Sequence, residues 1–241
     1  MRIITIATQR GGIGKTTTAA ALAQAAKYRG LRSLAIDLDP QGHLSFFLGA
    51  DTNRAGAFDL LEGTPAAEVI QPAVVDTITA NWSLQTISSG AGSARRLRAA
   101  LEPIKKKYDV IVIDTPATAG ELQNNALMAA TDLIVPVQTD VTGTKALYQI
   151  TDTAKRVQRV NNGLQLTGYI LTRCDMRSTL ARQMAGKIEA RAQEIGIPFL
   201  MAIREAVAVR EAQAFQRNLF EYAPKAKPAQ DYLELFDRII I

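Results

Sequence analysis

The sequence predicts an α/β fold, a twisted and mostly parallel sheet flanked by helices on both faces, carried by a single domain over residues 1–241. Three observations predict it. Short runs dense in Val, Ile and Leu, at residues 2–7, 32–37, 109–114, 133–137 and 166–171, alternate with helix-length segments. Near-continuous apolar strands of this kind belong to parallel sheets buried on both faces. The first run leads straight into a glycine-rich turn and a helix former, and the second and third end in aspartate. Ligands in open α/β sheets bind at such carboxyl ends of strands.

The strand over residues 2–7 is followed by Arg10-Gly11-Gly12-Ile13-Gly14-Lys15-Thr16-Thr17, and then by the helix former Thr18-Ala19-Ala20-Ala21. Glycines allow backbone N–H groups to converge on one phosphate, and the helix starting at Thr16 adds its free amides and positive dipole end. Lys15 supplies a cation for the β- and γ-phosphates and the Thr16 hydroxyl a ligand for Mg²⁺. The strict P-loop pattern would have glycine where Gln9 stands; a second cation, Arg10, precedes the glycine pair instead. The next strand ends in Asp37-Leu38-Asp39-Pro40-Gln41-Gly42. Asp39, just past the strand, is placed to orient an attacking water and share the Mg²⁺ shell, with Asp37 in support. A mixed region with short helical pieces near residues 58–61 follows.

Asp114 closes the strand over 109–114 in the Walker B arrangement, presenting one carboxylate to Mg²⁺. Thr115-Pro116 opens a loop able to sense the γ-phosphate. A helix is expected over 121–129, a strand over 133–137, an amphipathic helix over 145–160 and a strand over 166–171. Pro224, Lys225, Lys227 and Pro228 read as a loop before a last helix over 231–239. Asp132 and Asp140 flank a strand end and read as structural, Asp140 also as an interface candidate.

The basic-Gly-Gly-x-x-Lys-Thr box and the Asp-x-Asp-Pro-Gln-Gly box resemble the deviant Walker A ATPases of the ParA/MinD family, and Soj/ParA partition proteins within it. The resemblance covers nearly the whole chain. It extends through residues 204–212, then Glu221 to Lys225, Lys227, Ala229 and Tyr232, with Gln213, Ala208 and Ala117 as departures. It implies that Arg10 crosses a dimer interface to the partner's nucleotide and that Asp39 is needed for hydrolysis. Gly11, Gly12, Ile13, Gly14, Lys15, Thr16 and Thr17 then hold the triphosphate, and Thr172, Arg173 and Asp175 surround the adenine. Thr16, Asp39 and Asp114 serve the metal. Expected from the resemblance are ATP and Mg²⁺, an ATP-bound homodimer coating DNA without sequence preference, and a ParB-type centromere-binding partner that stimulates slow hydrolysis.

Composition narrows the field. The lone cysteine, Cys174, leaves no disulfide and no cluster ligation, and the lone histidine, His43, leaves no zinc site or Ser-His triad. No apolar stretch is long enough to span a bilayer and no signal peptide is expected, so the chain is expected in the cytoplasm, at the nucleoid, with no membrane partner. The net charge of +5 favours a polyanionic partner. Basic residues gather at Arg95, Arg96, Arg98, Lys105, Lys106 and Lys107, and again along Lys155, Arg156, Arg159, Arg173, Arg177, Arg182, Lys187 and Arg191.

Three alternatives stand beside plasmid or chromosome partition. A ParA-like ATPase could position a conjugation or secretion complex, separable by the partner that stimulates it. A MinD-like membrane ATPase would want a basic amphipathic terminal helix, whereas residues 231–237 are acidic. A metabolic P-loop enzyme would want a separate substrate constellation, and none stands out. The chain opens at its first strand, so operator binding by an amino-terminal helix-turn-helix is not expected.

Overall fold

The computed structural model describes residues 1–140, 142–174 and 178–240. Among these residues seven strands form one sheet: β1 (Arg2–Ile6), β2 (Ser33–Asp37), β3 (Asp76–Ile78), β4 (Val110–Asp114), β5 (Asp132–Val137), β6 (Gln165–Leu171) and β7 (Phe199–Ala202). Their order is β3-β2-β4-β1-β5-β6-β7, and each neighbouring pair runs parallel. The helices are α1 (Lys15–Tyr28), α2 (His43–Phe47), α3 (Ala57–Leu61), α4 (Ala66–Val69), α5 (Arg96–Leu101) and α6 (Glu121–Ala129). They continue with α7 (Gly143–Gln158), α8 (Thr179–Ile195), α9 (Val207–Ala214), α10 (Leu219–Tyr222) and α11 (Lys227–Ile240). No helix among the described residues is long and apolar enough to cross a membrane.

Side-chain alternation along the buried strands builds two covered faces. Val110 and Val112 of β4, with Ile4 and Ile6 of β1, pack on the alanine-rich α1 and on α11. Ile111 and Ile113, with Leu34 and Ile36 of β2, pack on α3, α5 and α6. Leu133, Val135 and Val137 of β5 meet α7 and α8 through Leu147, Ile150 and Ile188. The apolar face of α11, including Tyr232, Leu235, Phe236 and Ile239, is spent on this core. Asp132 is structural, as its sequence position suggests: Arg2 donates to it from Nε at 2.8 Å and Nη2 at 2.6 Å, tying β1 to β5.

The two edge strands and α8 are additions to the sequence reading. With three residues, β3 is too short to show a period, and β7 follows Pro198 in a stretch without alternation. The stretch that forms α8 stands out in sequence for its charge, yet Ala181, Met184, Ile188 and Ala192 line its buried side. The last helix begins at Lys227, earlier than expected, because Pro228 sits in its first turn, where a missing N–H costs no hydrogen bond.

Candidate nucleotide site

The loop between β1 and α1 lies at the carboxyl edge of the central strand. Gly12 (φ 73°) and Gly14 (φ 89°) take left-handed backbone, which a side chain would resist. Gly14 caps α1 with no side-chain hydrogen bond to the first amides, so that helix end stays available to an anion. The hydroxyl of Thr172, at the end of β6, donates to the Ile13 carbonyl at 2.6 Å and so braces the loop from behind. Thr172 was expected near adenine; its hydroxyl is committed to the phosphate loop, although its side chain also lines the cleft beside Thr17.

Lys15 is buried and donates from Nζ to the Arg10 carbonyl at 2.8 Å. Burial lowers its pKa, against which the nearby Asp114 and Asp39 carboxylates raise it. Those carboxylates arrive from the strands on one side of β1. Asp37 and Asp114 are register partners on β2 and β4, and both are fully buried. Asp37 is a brace: it accepts from Ser45 N at 2.9 Å, Ser45 Oγ at 2.8 Å and Asp39 N at 3.1 Å. Burial still pushes its pKa up to about 6, those hydrogen bonds opposing. Asp39 is half-buried, accepts from Gln41 N at 3.0 Å, and opens onto a cavity of about 510 Å³.

Neither oxygen of Asp114 has a hydrogen-bond partner. Burial first, and then Asp37, raise its pKa well above the usual carboxylate range, opposed by the Thr16 hydroxyl and Lys15. A buried carboxylate with unused lone pairs beside a threonine hydroxyl and a second acid suits a hard divalent cation. Mg²⁺ needs no more than one or two protein groups, since substrate phosphates and water complete its shell. Among the described residues no cluster of three or more acid, histidine or cysteine ligands forms.

Arg10 goes the other way. Its guanidinium makes a bidentate pair with Asp140 just past β5, Nη1 to Oδ1 at 2.7 Å and Nη2 to Oδ2 at 2.6 Å. Asp140 also accepts from Thr142 N and Oγ1, both at 2.9 Å, and Arg10 holds its carboxyl low, at about 2. Since β1 lies between β4 and β5, the two loop cations are parted: Lys15 faces the acids of β2 and β4, Arg10 the acid of β5.

Thr16 and Thr17 open α1, and Thr17 Oγ1 accepts from Gln213 Nε2 of α9 at 3.1 Å. Arg173 is exposed, in left-handed backbone (φ 52°), and borders both that cleft and a larger one of about 920 Å³ with Arg204, Arg210 and Lys227. Asp175 and Arg177 lie outside the described residues. His43 is exposed at the start of α2, and Cys174 is buried. The partners that spacing could not disclose are Asp140 for Arg10, Ser45 for Asp37 and Gln213 for Thr17. Only their residue types were visible, because two of the three pairs join residues more than a hundred positions apart.

Known proteins resemble this chain over most of its length. A family model described as an AAA domain matches residues 1–166. The chromosome-partitioning ATPase Soj of Thermus thermophilus is 32% identical over 249 residues, covering 100% of this chain and 96% of that protein. The chromosome partitioning protein ParA of Caulobacter vibrioides is 35% identical over 255 residues, covering 100% and 94%. The crystal structure of cobyrinic acid a,c-diamide synthase from Mycobacterium smegmatis, with bound ATP analog and magnesium, superposes with a TM-score of 0.84. Its identity is 29%, over 98% of this chain and 93% of that one.

Proposed function

This chain belongs to the ParA/MinD family of P-loop ATPases, and on that premise we propose that it is a DNA-partition switch. ATP closes it into a sandwich dimer that holds DNA without sequence preference, and a ParB-type partner stimulates hydrolysis and releases it. The observation that carries this reading is the parting of the loop cations, with Arg10 drawn away from Lys15 and its carboxylates.

The chain hydrolyses ATP to ADP and phosphate with Mg²⁺. Residues 11–17 cradle the triphosphate through backbone amides, and Lys15 neutralises its β- and γ-phosphates. Thr16, Asp114 and Asp39 would hold Mg²⁺, which would supply Lewis-acid stabilisation of phosphate charge. Asp39 orients the attacking water, while Asp37 keeps the turn rigid through Ser45. Thr172 and Arg173 border the base. Arg10 grips the triphosphate of the facing protomer, so loss of the γ-phosphate weakens the dimer.

Exposed Lys155 and Arg156 of α7, Arg159 just past its end, and Arg182, Lys187 and Arg191 of α8 offer a basic surface on two packed helices. It is partly offset by the Arg156–Asp152 and Arg191–Glu194 pairs. Dimerisation doubles such a surface, and phosphate contacts then strengthen through counterion release. The test is retention of random-sequence duplex DNA with ATP, ADP or no nucleotide across a salt series. ATP-only, salt-sensitive retention is expected. Retention indifferent to nucleotide, or none at all, would refute the reading. A second reading, a metabolic synthase acting on a small molecule, is favoured by the likeness to the Mycobacterium smegmatis protein. ATP turnover unaffected by DNA at any salt would support it.

A further inference from the structure

We propose that Gln123 is a positioning residue for ATP hydrolysis, its side-chain amide anchoring water in the cavity onto which Asp39 opens. Gln123 is fully buried near the start of α6, just beyond the loop that follows Asp114, and neither its Nε2 nor its Oε1 has a hydrogen-bond partner. An amide buried with both ends unpaired is destabilising, and an apolar side chain of the same shape would fold better, so its presence calls for a ligand or water. Its neighbour shows the contrast: Asn125 is committed, accepting from Leu97 N at 3.0 Å and donating to Glu121.

Place supplies the rest. Among the described residues, buried side-chain atoms without partners occur on Thr8, Ser33, Asp114 and Gln123. Thr8 follows β1 and Asp114 ends β4, both at the edge where a nucleotide is cradled, whereas Ser33 opens β2 at the far end. Gln123 lines the cavity of about 510 Å³ together with Asp39, Gln41, Leu84, Pro116 and Gly120. That space admits several waters, and Asp39 and Gln123 border it from separate elements. An amide is apt there because it donates and accepts without adding charge beside two buried carboxylates, Asp37 and Asp114. Asp39 takes the nucleophile's hydrogen bond; Gln123 fixes the water behind it. The inference rests on the assignment of Asp39 to hydrolysis.

The test compares Gln123→Met, which keeps length and removes the amide, with Gln123→Asn, which keeps the amide and removes a methylene. Melting of the nucleotide-free protein and steady-state ATP hydrolysis are both measured. Gln123→Met is expected to melt at or a few degrees above the wild type, about 2–4 °C for a chain of this size. Its kcat falls about tenfold while KM for ATP stays within about twofold. Gln123→Asn melts below Gln123→Met yet hydrolyses faster. Activity that instead ranks with melting temperature, or wild-type kcat in Gln123→Met, overturns the proposal. Asp39→Ala run alongside separates the two levels. Wild-type turnover there removes the assignment of Asp39 and this inference with it; an inactive Asp39→Ala beside a fully active Gln123→Met removes the role of Gln123 alone.

Discussion

Asp140→Asn is expected to tighten the ATP-dependent dimer. In the single chain Arg10 is held by Asp140 through two short, charge-assisted bonds, with side-chain exposures of 29% and 36%. A cation that grips a neighbour's triphosphate must first leave this pair, and a dimer breaks two such pairs. At that exposure solvent screens the attraction, so each pair is worth about 0.5–1 kcal/mol, the upper part of the surface range because the geometry is bidentate. Two pairs come to about 1–2 kcal/mol, or roughly a five- to thirtyfold lower dimer dissociation constant. Asparagine is the right replacement because Asp140 Oδ1 also accepts from Thr142 N at the start of α7, a bond that an amide oxygen can keep.

The assay is sedimentation velocity with a non-hydrolysable ATP analogue at low and high salt. The gain should shrink as salt rises and vanish in an Arg10→Ala background, where no guanidinium remains to be released. Arg10 holds the Asp140 carboxyl at about 2, below the ordinary carboxylate value, so the pair is present at any pH above about 4 and the comparison needs no pH correction. An unchanged or weaker Asp140→Asn dimer would refute the reasoning: Arg10 would then act from its place beside Asp140, which would aim it rather than detain it.

Lys15→Ala should abolish nucleotide binding by calorimetry, since Lys15 is the buried cation beside Asp114 and Asp39; retained ATP affinity would count against the cradle. Asp39→Ala should bind ATP and dimerise yet hydrolyse poorly, with wild-type phosphate release as the contrary result. Asp37 gives a pH prediction. Its folded pKa, about 6, lies above its ordinary value, so the native state holds the proton more tightly and loses stability as pH rises from about 4 to 6. Asp114, also raised by burial, adds in the same sense, whereas Asp109 and Asp140, both held low by arginines, act in the opposite sense below that window. Asp37→Asn should therefore flatten the change in melting temperature of the nucleotide-free protein between pH 4 and 6, and an unaltered slope would contradict the assignment.

The parts of this molecule legible in its sequence are those whose chemistry is local. A glycine turn between a strand and a helix says where the amides point, and a carboxylate closing an apolar strand lies at the sheet's edge whatever the rest of the chain does. Thus Lys15, Thr16, Asp39 and Asp114 fall at that edge on local pattern alone. Illegible were features fixed by distant pairing. The edge strands β3 and β7 are too short to carry a period, and α8 buries small residues beneath a basic surface. The hydrogen bond from the Thr172 hydroxyl to Ile13 was equally hidden, since only the approach of β6 to the phosphate loop creates it. Gln123 carried no signal at all, since an unpaired amide is defined by what fails to surround it.

The arginine at position 10 acquires a physical meaning from the sheet order. A lysine there would meet Asp140 as a point charge, whereas the planar guanidinium matches both carboxylate oxygens at once and is held more firmly. Release therefore requires an acceptor better than one carboxylate. A γ-phosphate offers several oxygens and more negative charge, and it satisfies the same fork. ADP, lacking that group, leaves Asp140 the nearest strong acceptor. In the dimer proposed above, competition between one fixed carboxylate just past β5 and a phosphate that comes and goes would make closure depend on ATP rather than on any nucleotide.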